Sequence, residues 1–350
     1  MRHILLLVAS SLCAALPAGA AEPSEAEAEG LAAVRSFTLE HNAALVAEAE
    51  KLQAATSAYA ALITGQGGDY EAAWSAKGPE LAAAVTAIRK QWLATSNEYE
   101  TIEGIVAGLP AMVKYDLILD AGNPGGQPED VAEYDLALPD GTVLERPGNL
   151  FHGITEPLMW GTDDTHVKLK ADLDGDGKTG AGEVLFDANL AVGATEALVF
   201  WAKALETDMK AWEPGRNDAF TAVVTMTPTV GDYFAEWKDS HLAGGLGAAF
   251  VARSRLADVT GIMGGCQRMY VDAVSPVLAE GGDTALDASI RGGFDELLAL
   301  VAETRAREEA GETFGAEEAD ALAAESQDIA ERIVAQVLQA AAKYDVQIEG

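Results

Sequence analysis

Apolar residues recur at three- and four-residue spacing through most of this chain, with polar residues between them, so it must bury helical stripes against one another. One such segment covers residues 27–63 and ends at the glycine run Gly65-Gln66-Gly67-Gly68. A second covers 79–106, opening on Pro79, a favourable first-turn residue, and running through Leu81, Val85, Ile88, Trp92 and Tyr99. A third, 190–212, stops at Glu213-Pro214-Gly215; weaker patterns cover 230–241 and 253–274, and the last two helical segments cover 286–308 and 316–344. The expectation is an all-α fold of two helical bundles, residues 21–213 and 214–350.

Residues 109–187 break the pattern and form an irregular insertion in the first bundle. They hold Gly-Asn-Pro-Gly-Gly at 122–126. They also hold a β-hairpin signal, Tyr134 to Leu138 and Thr142 to Leu144 joined through Pro139-Asp140-Gly141. Long irregular insertions in helical proteins are where function concentrates.

Charge narrows the choice of partner. The 350 residues carry 56 Asp+Glu against 23 Lys+Arg, a formal net charge of −33, yet 49% of them are apolar. That is too apolar for a disordered acidic tail. The field repels phosphates and anionic lipid surfaces and concentrates cations, which argues against nucleic-acid binding. At the N-terminus, Arg2 and His3 precede an apolar run from Ile4 to Leu16 and a small-residue cleavage site, Ala18-Gly19-Ala20. Residues 1–20 read as a signal peptide, so the expectation is a periplasmic or secreted protein with no membrane span in its mature form. Leu12 stands where a lipidation signal at Cys13 needs a small residue. Cleavage then leaves Cys266 alone, with no intramolecular disulfide.

Asp172-Leu-Asp174-Gly-Asp176-Gly177-Lys178-Thr-Gly-Ala-Gly-Glu183 fits the calcium loop D-x-D-x-D-G-x5-E without a gap. Carboxylates at positions 1, 3 and 5 point inward and glycine at position 6 permits the turn. The carbonyl of Lys178 serves position 7, and Glu183 closes the shell. The bland alternative is an Asp/Gly-rich surface turn. The preceding residues 165–170 alternate like a strand, so the expectation is a lone structural calcium loop rather than a paired sensor, with Kd on the order of 10⁻⁴ to 10⁻³ M.

The other chemical signal is Phe151-His152-Gly153-Ile154-Thr155-Glu156-Pro157-Leu158-Met159-Trp160-Gly161. In a helix, His152 and Glu156 lie four apart on one face and can share a metal or pair with each other. Pro157 removes a backbone donor, which calls for a kink or bulge between them.

This segment resembles the signature of the imelysin family, exported helical proteins marked by G-x-H-x-x-E. Gln91-Trp92-Leu93-Ala94 with Tyr99-Glu100-Thr101-Ile102-Glu103 resembles a second family segment, and Ser254-Arg255-Leu256-Ala257-Asp258 a third. The resemblance covers roughly residues 31–345. It implies an all-α fold of two bundles with a site near the His–Glu motif, and adds Glu103 as a third carboxylate with Tyr99 beside it. Members of the family were first described as peptidases, and others resemble periplasmic iron-uptake components. Here the motif is H-x-x-x-E, and Leu150 stands in place of the glycine. A π-bulge at 155–157 would restore the facing geometry. Ser254, Arg255 and Asp258 serve equally as a cap and ion-pair set.

There is no H-E-x-x-H, no G-x-S-x-G and no P-loop, and Gly244-Gly-Leu-Gly247 lacks the third glycine of a dinucleotide site. Three readings follow. The first is a metal-binding protein in which His152, Glu156 and Glu103 hold iron or zinc, a membrane metal-uptake component is the partner and calcium rigidifies the loop. The second is a metallopeptidase in which the metal activates water. The third is a scaffold whose His–Glu pair is purely structural.

Overall fold

The computed structural model describes residues 23–349 apart from 125, 126, 128, 129, 243–250 and 253. Residues 1–20, read above as a signal peptide, and the glycines at 244–247 lie outside the described residues. The fold is all-α, with two small antiparallel strand pairs in the insertion.

Helices α1 (Glu25–Thr64), α2 (Tyr70–Val106) and α5 (Ala188–Ala211) pack side by side. The buried positions of α1 run 27, 31, 34, 38, 42, 45, 49, 52, 56, 59 and 63, steps of three and four that hold one stripe on the core side along the whole helix. Ser24 caps α1 by accepting from the Glu27 amide, and Asp69 caps α2 by accepting from Ala72. The second helix thus starts at residue 70 rather than at Pro79. Pro79 is instead internal, and the missing N–H is accommodated by non-helical backbone at Lys77 (φ −140°, ψ 25°).

The C-terminal half comprises α6 (Arg216–Met226), α7 (Val230–Leu242), α8 (Arg255–Met269), α9 (Ser275–Glu280), α10 (Thr284–Glu309) and α11 (Ala316–Lys343). Here α11 packs on α7 and α10, and α8 packs on α10. The two halves meet where α8 crosses α2, and the crossing depends on glycine. A Cβ added at Gly104 would come within 2.3 Å of the Ile262 carbonyl oxygen and 2.8 Å of Cys266 Sγ. On the α8 side, a Cβ at Gly261 would stand 3.0 Å from the backbone of Glu100. Gly104→Ala is therefore expected to destabilise the protein by about 1–3 kcal/mol through overpacking, read as a lower urea midpoint. An unchanged midpoint would mean the helices can separate without loss.

Within the insertion, β1 (Asp135–Ala137) pairs with β2 (Val143–Glu145), Leu136 opposite Leu144, where the sequence predicted a hairpin. The second pair, β3 (Val167–Lys170) and β4 (Val184–Phe186), brackets the acidic loop. Leu185 and Phe186 are buried, and the Tyr59 hydroxyl donates to the Phe186 carbonyl, tying this sheet to α1. Two π-helical turns, Leu117–Ala121 and Leu150–Thr155, pack against each other beneath α2. Among the described residues no helix is long and apolar enough to cross a membrane.

Candidate metal centre

His152 sits on the second π-turn, 4% exposed, at the junction of α2, the insertion and α8. The turn has three visible causes. Asn149 caps it, its Oδ1 accepting from the Gly153 amide at 2.8 Å. The Thr155 hydroxyl donates to the Leu150 carbonyl, five residues back, which is the π spacing. Pro157 then falls in the first turn of the short helix α4 (Glu156–Trp160), where a missing N–H costs nothing. The irregularity expected between His152 and Glu156 is present as this π-turn, which ends at Thr155, the first residue of the bulge placed at 155–157.

This geometry divides the two ring nitrogens. Nδ1 lies 2.6 Å from Glu156 Oε2, and Glu156 Oε1 accepts from the Ala252 amide at 2.7 Å. Nε2 faces Asp120 Oδ1 at 3.1 Å and Glu100 Oε1 at 3.9 Å. Ligand atoms of Glu100, Asp120 and His152 all lie within 4.8 Å of one another, and all three residues are buried. Trp92 fixes the ring from the side, its centroid 5.7 Å from the imidazole in an edge arrangement, while its Nε1 donates to Thr155 Oγ1 at 2.7 Å.

Of the residues named from the sequence, His152 is therefore central, but Glu156 and Glu103 stand in other relations to it. Glu156 holds the far side of the ring, the place of a carboxylate that orients a ligating histidine. Glu103, one turn along α2, accepts from the Tyr233 hydroxyl at 2.7 Å and lies outside the close group. Tyr99 donates to Asp116 at 2.7 Å. Sequence reasoning missed Glu100 and Asp120. Glu100 stands three residues before Glu103 on the same helical face, and that spacing could have found it. Asp120 lies in a π-turn with no pattern to give it away.

Electrostatics here are set by burial. Burial, then Asp120 and Asp258, push Glu100 up to about 8. Burial, then Glu100 and Asp120, push Glu103 well above the carboxylate range. Burial and then Asp120 push Asp116 up to about 7. For Asp120, burial opposes ionisation, but the charge of His152 outweighs it and holds the carboxyl low. His152 in turn is held well above its ordinary value, because Asp120 and Glu156 overcome the burial that opposes its charge. Arg255 lies 3% exposed beside them, its guanidinium on Glu236 at 2.8 and 2.6 Å and over the Tyr233 ring at 4.4 Å. Ser254 does not cap α8 through its side chain, and its hydroxyl donates to Asp258 at 3.0 Å. A cavity of about 290 Å³ leads in, lined among others by Glu103, Asp120, Asn149, His152, Tyr233 and Arg255.

The acidic loop between β3 and β4 is exposed and separately built. Asp172 accepts from the Gly175 and Gly177 amides at 2.8 and 2.9 Å, Asp174 from Asp176 at 2.9 Å and Asp176 from Lys178 at 2.7 Å. Gly177, at position 6, has φ +85°, a conformation that favours glycine. Glu183 accepts from Leu173 and Asp174 and from Gly180, and the Gly180 amide does most to hold its carboxyl below the usual range. Asp172, Asp174 and Glu183 bring ligand atoms within 4.8 Å of one another, and Asp176 lies outside that group.

A helical protein with a buried His–carboxylate centre where its halves meet is the class that fold and site define. The Imelysin family model matches residues 38–337, and the chain belongs to that family. The crystal structure of an imelysin-like protein from Psychrobacter arcticum 273-4 shares the fold, with a TM-score of 0.54 over 94% of this chain and 99% of that one, at 14% identity. No curated protein sequence matches this chain.

Proposed function

We propose that this imelysin-family protein binds a transition-metal cation, iron or zinc, through His152 Nε2, Glu100 and Asp120, as an exported carrier that passes the metal to a membrane uptake component. One observation carries the reading: three ligand-bearing side chains of the right chemistry converge within 4.8 Å in a buried pocket. An imidazole with two carboxylates suits either metal. The Nδ1 contact to Glu156 leaves the ring presented through Nε2, and the imidazolium proton paired with Asp120 occupies the position a cation would take. An entry cavity of about 290 Å³ suits a hydrated ion or a small chelate better than an extended polypeptide, which favours carriage over the metallopeptidase reading.

The test is elemental analysis of protein purified without chelator, with a protease assay on an unfolded substrate beside it. One transition metal per chain and no cleavage supports the carrier. Cleavage that disappears in Glu100→Gln would transfer the case to the peptidase, and absence of any transition metal would leave the scaffold.

Binding must displace protons from His152 and from Glu100, whose carboxyl sits near 8. Both groups bind metal only when deprotonated, so affinity is expected to rise with pH up to and through about 8 and to fall on acidification. The slope is roughly tenfold per pH unit for each proton displaced. Isothermal titration in two buffers of different ionisation enthalpy measures the proton release, and a flat pH profile would contradict it.

For the acidic loop we propose a structural calcium ion on Asp172, Asp174, Asp176, the Lys178 carbonyl and Glu183, pinning β3 to β4. Millimolar calcium is expected to raise the melting temperature by a few degrees, as binding to the folded state alone requires. Glu183→Gln should abolish the increment. An equal increment in the variant would place calcium elsewhere.

A further inference from the structure

We infer that His241 is an acid-operated latch: the neutral imidazole holds the connection between α10 and α11 against α7, and protonation of the ring releases it. None of the groups involved belongs to the centre around His152, so the latch stands apart from the metal reading.

The connection, residues 310–315, has one buried anchor. Residues 309–318 are exposed except Phe314, which is 4% exposed. Its ring packs edge-on against Trp237 and His241 of α7, with centroids 5.1 and 5.4 Å away, and the Arg307 guanidinium covers it at 4.5 Å. Its backbone amide donates to His241 Nε2 at 3.0 Å.

Partners that can only donate fix the proton on this ring. A backbone N–H cannot accept, so Nε2 meets Phe314 with a lone pair. The Trp237 indole N–H cannot accept either, so Glu308 Oε1, 3.0 Å from it, is an acceptor. Nδ1 lies 2.9 Å from that same oxygen and donates to it. The imidazole is therefore neutral, with its one proton on Nδ1. A second proton has only Nε2 to go to. There it faces the Phe314 N–H, and two donors repel across what was a hydrogen bond.

The surrounding charges decide which side moves. Glu308 of α10 attracts the imidazolium, so the ring stays between α7 and α10. Arg307, over the Phe314 ring and paired with Glu312 and Glu318, disfavours a second cation beside it. Lys238 of α7 and Asp320 of α11 pair with each other, and Asp239 adds its charge to theirs. With the amide acceptor gone, the connection keeps the packing of the Phe314 ring and the largely exposed Arg307 pairs, which are worth little in water. The moving part is the connection.

Full-length protein, followed by NMR across about pH 5 to 8, tests this. Ring nitrogen shifts give the tautomer of His241 and its titration. Amide hydrogen exchange, corrected for the intrinsic effect of pH, gives the protection of Phe314. Expected are a neutral ring protonated on Nδ1 and a Phe314 protection that falls about fivefold or more along the His241 titration, the weight of leaving one buried donor without its acceptor. The amides of Phe294 and Ile333, in the cores of α10 and α11, should keep their protection. His241→Gln supplies an acceptor that does not titrate, so its Phe314 protection should be flat with pH. Protection that stays constant while the ring titrates overturns the latch, as does a neutral ring protonated on Nε2 or a ring that never protonates in this range. An equal fall in His241→Gln assigns the release to Glu308 and overturns it too. If His241→Gln fails to fold, the parent alone decides, by whether the ring titration and the loss of protection share a midpoint.

Discussion

His152→Ala is expected to lower transition-metal affinity by at least about 100-fold. Loss of a group that merely orients a ligating histidine costs roughly 10–100-fold, and loss of the imidazole in the cluster should exceed that. The comparison that isolates the ligand role is Glu156→Gln. It keeps His152 but loses the charge on Nδ1, so it should fall within the 10–100-fold range. Competition against a chromophoric chelator measures both, with circular dichroism melts to establish that each variant is folded. If His152→Ala binds iron and zinc as the parent does, the pocket is not their site, and the His–Glu pair is structural.

Trp92→Ala should destabilise the fold by about 3–5 kcal/mol, the range for removing a large aromatic from a closed core. Trp92 is fully buried and packs edge-on against Phe151, His152 and Trp160. Its indole N–H also supports Thr155, whose hydroxyl closes the π-turn, so the same change should loosen His152. Trp92→Phe keeps most of the packing and loses the N–H, so it should cost less, with about 0.5–1.5 kcal/mol of the loss due to the hydrogen bond. Urea midpoints and metal titrations on both variants separate the two contributions. A midpoint for Trp92→Ala equal to the parent's would contradict the packing account. Equal metal affinity in both variants would show that the π-turn holds its shape without the indole.

Much of the fold was legible because helix periodicity is a local signal. The long stripes of α1, α5, α10 and α11 lie within a few residues of where spacing placed them. The β1–β2 hairpin was legible in its Pro-Asp-Gly turn. Helix α6 was missed, since eleven residues with nearly every side chain buried or half-buried carry little amphipathic contrast. The start of α2 was misplaced because a proline that suits a first turn also survives inside a helix when the backbone two residues before it gives way.

The centre divides in the same manner. His152 and Glu156 could be read as neighbours from their spacing alone, but which nitrogen each acid meets could not. Spacing along one element fixes which side chains share a face. It says nothing of what a second element brings to that face. Glu100 and Asp120 meet only because the chain folds back after α2 and because Gly104 and Gly261 let α8 press against it. The sequence by itself determined the long amphipathic helices, the hairpin, the acidic loop and the family. Only the tertiary structure decided which carboxylates surround His152, because close approach of backbones and convergence of acids from separate elements are non-local, and no periodicity encodes them.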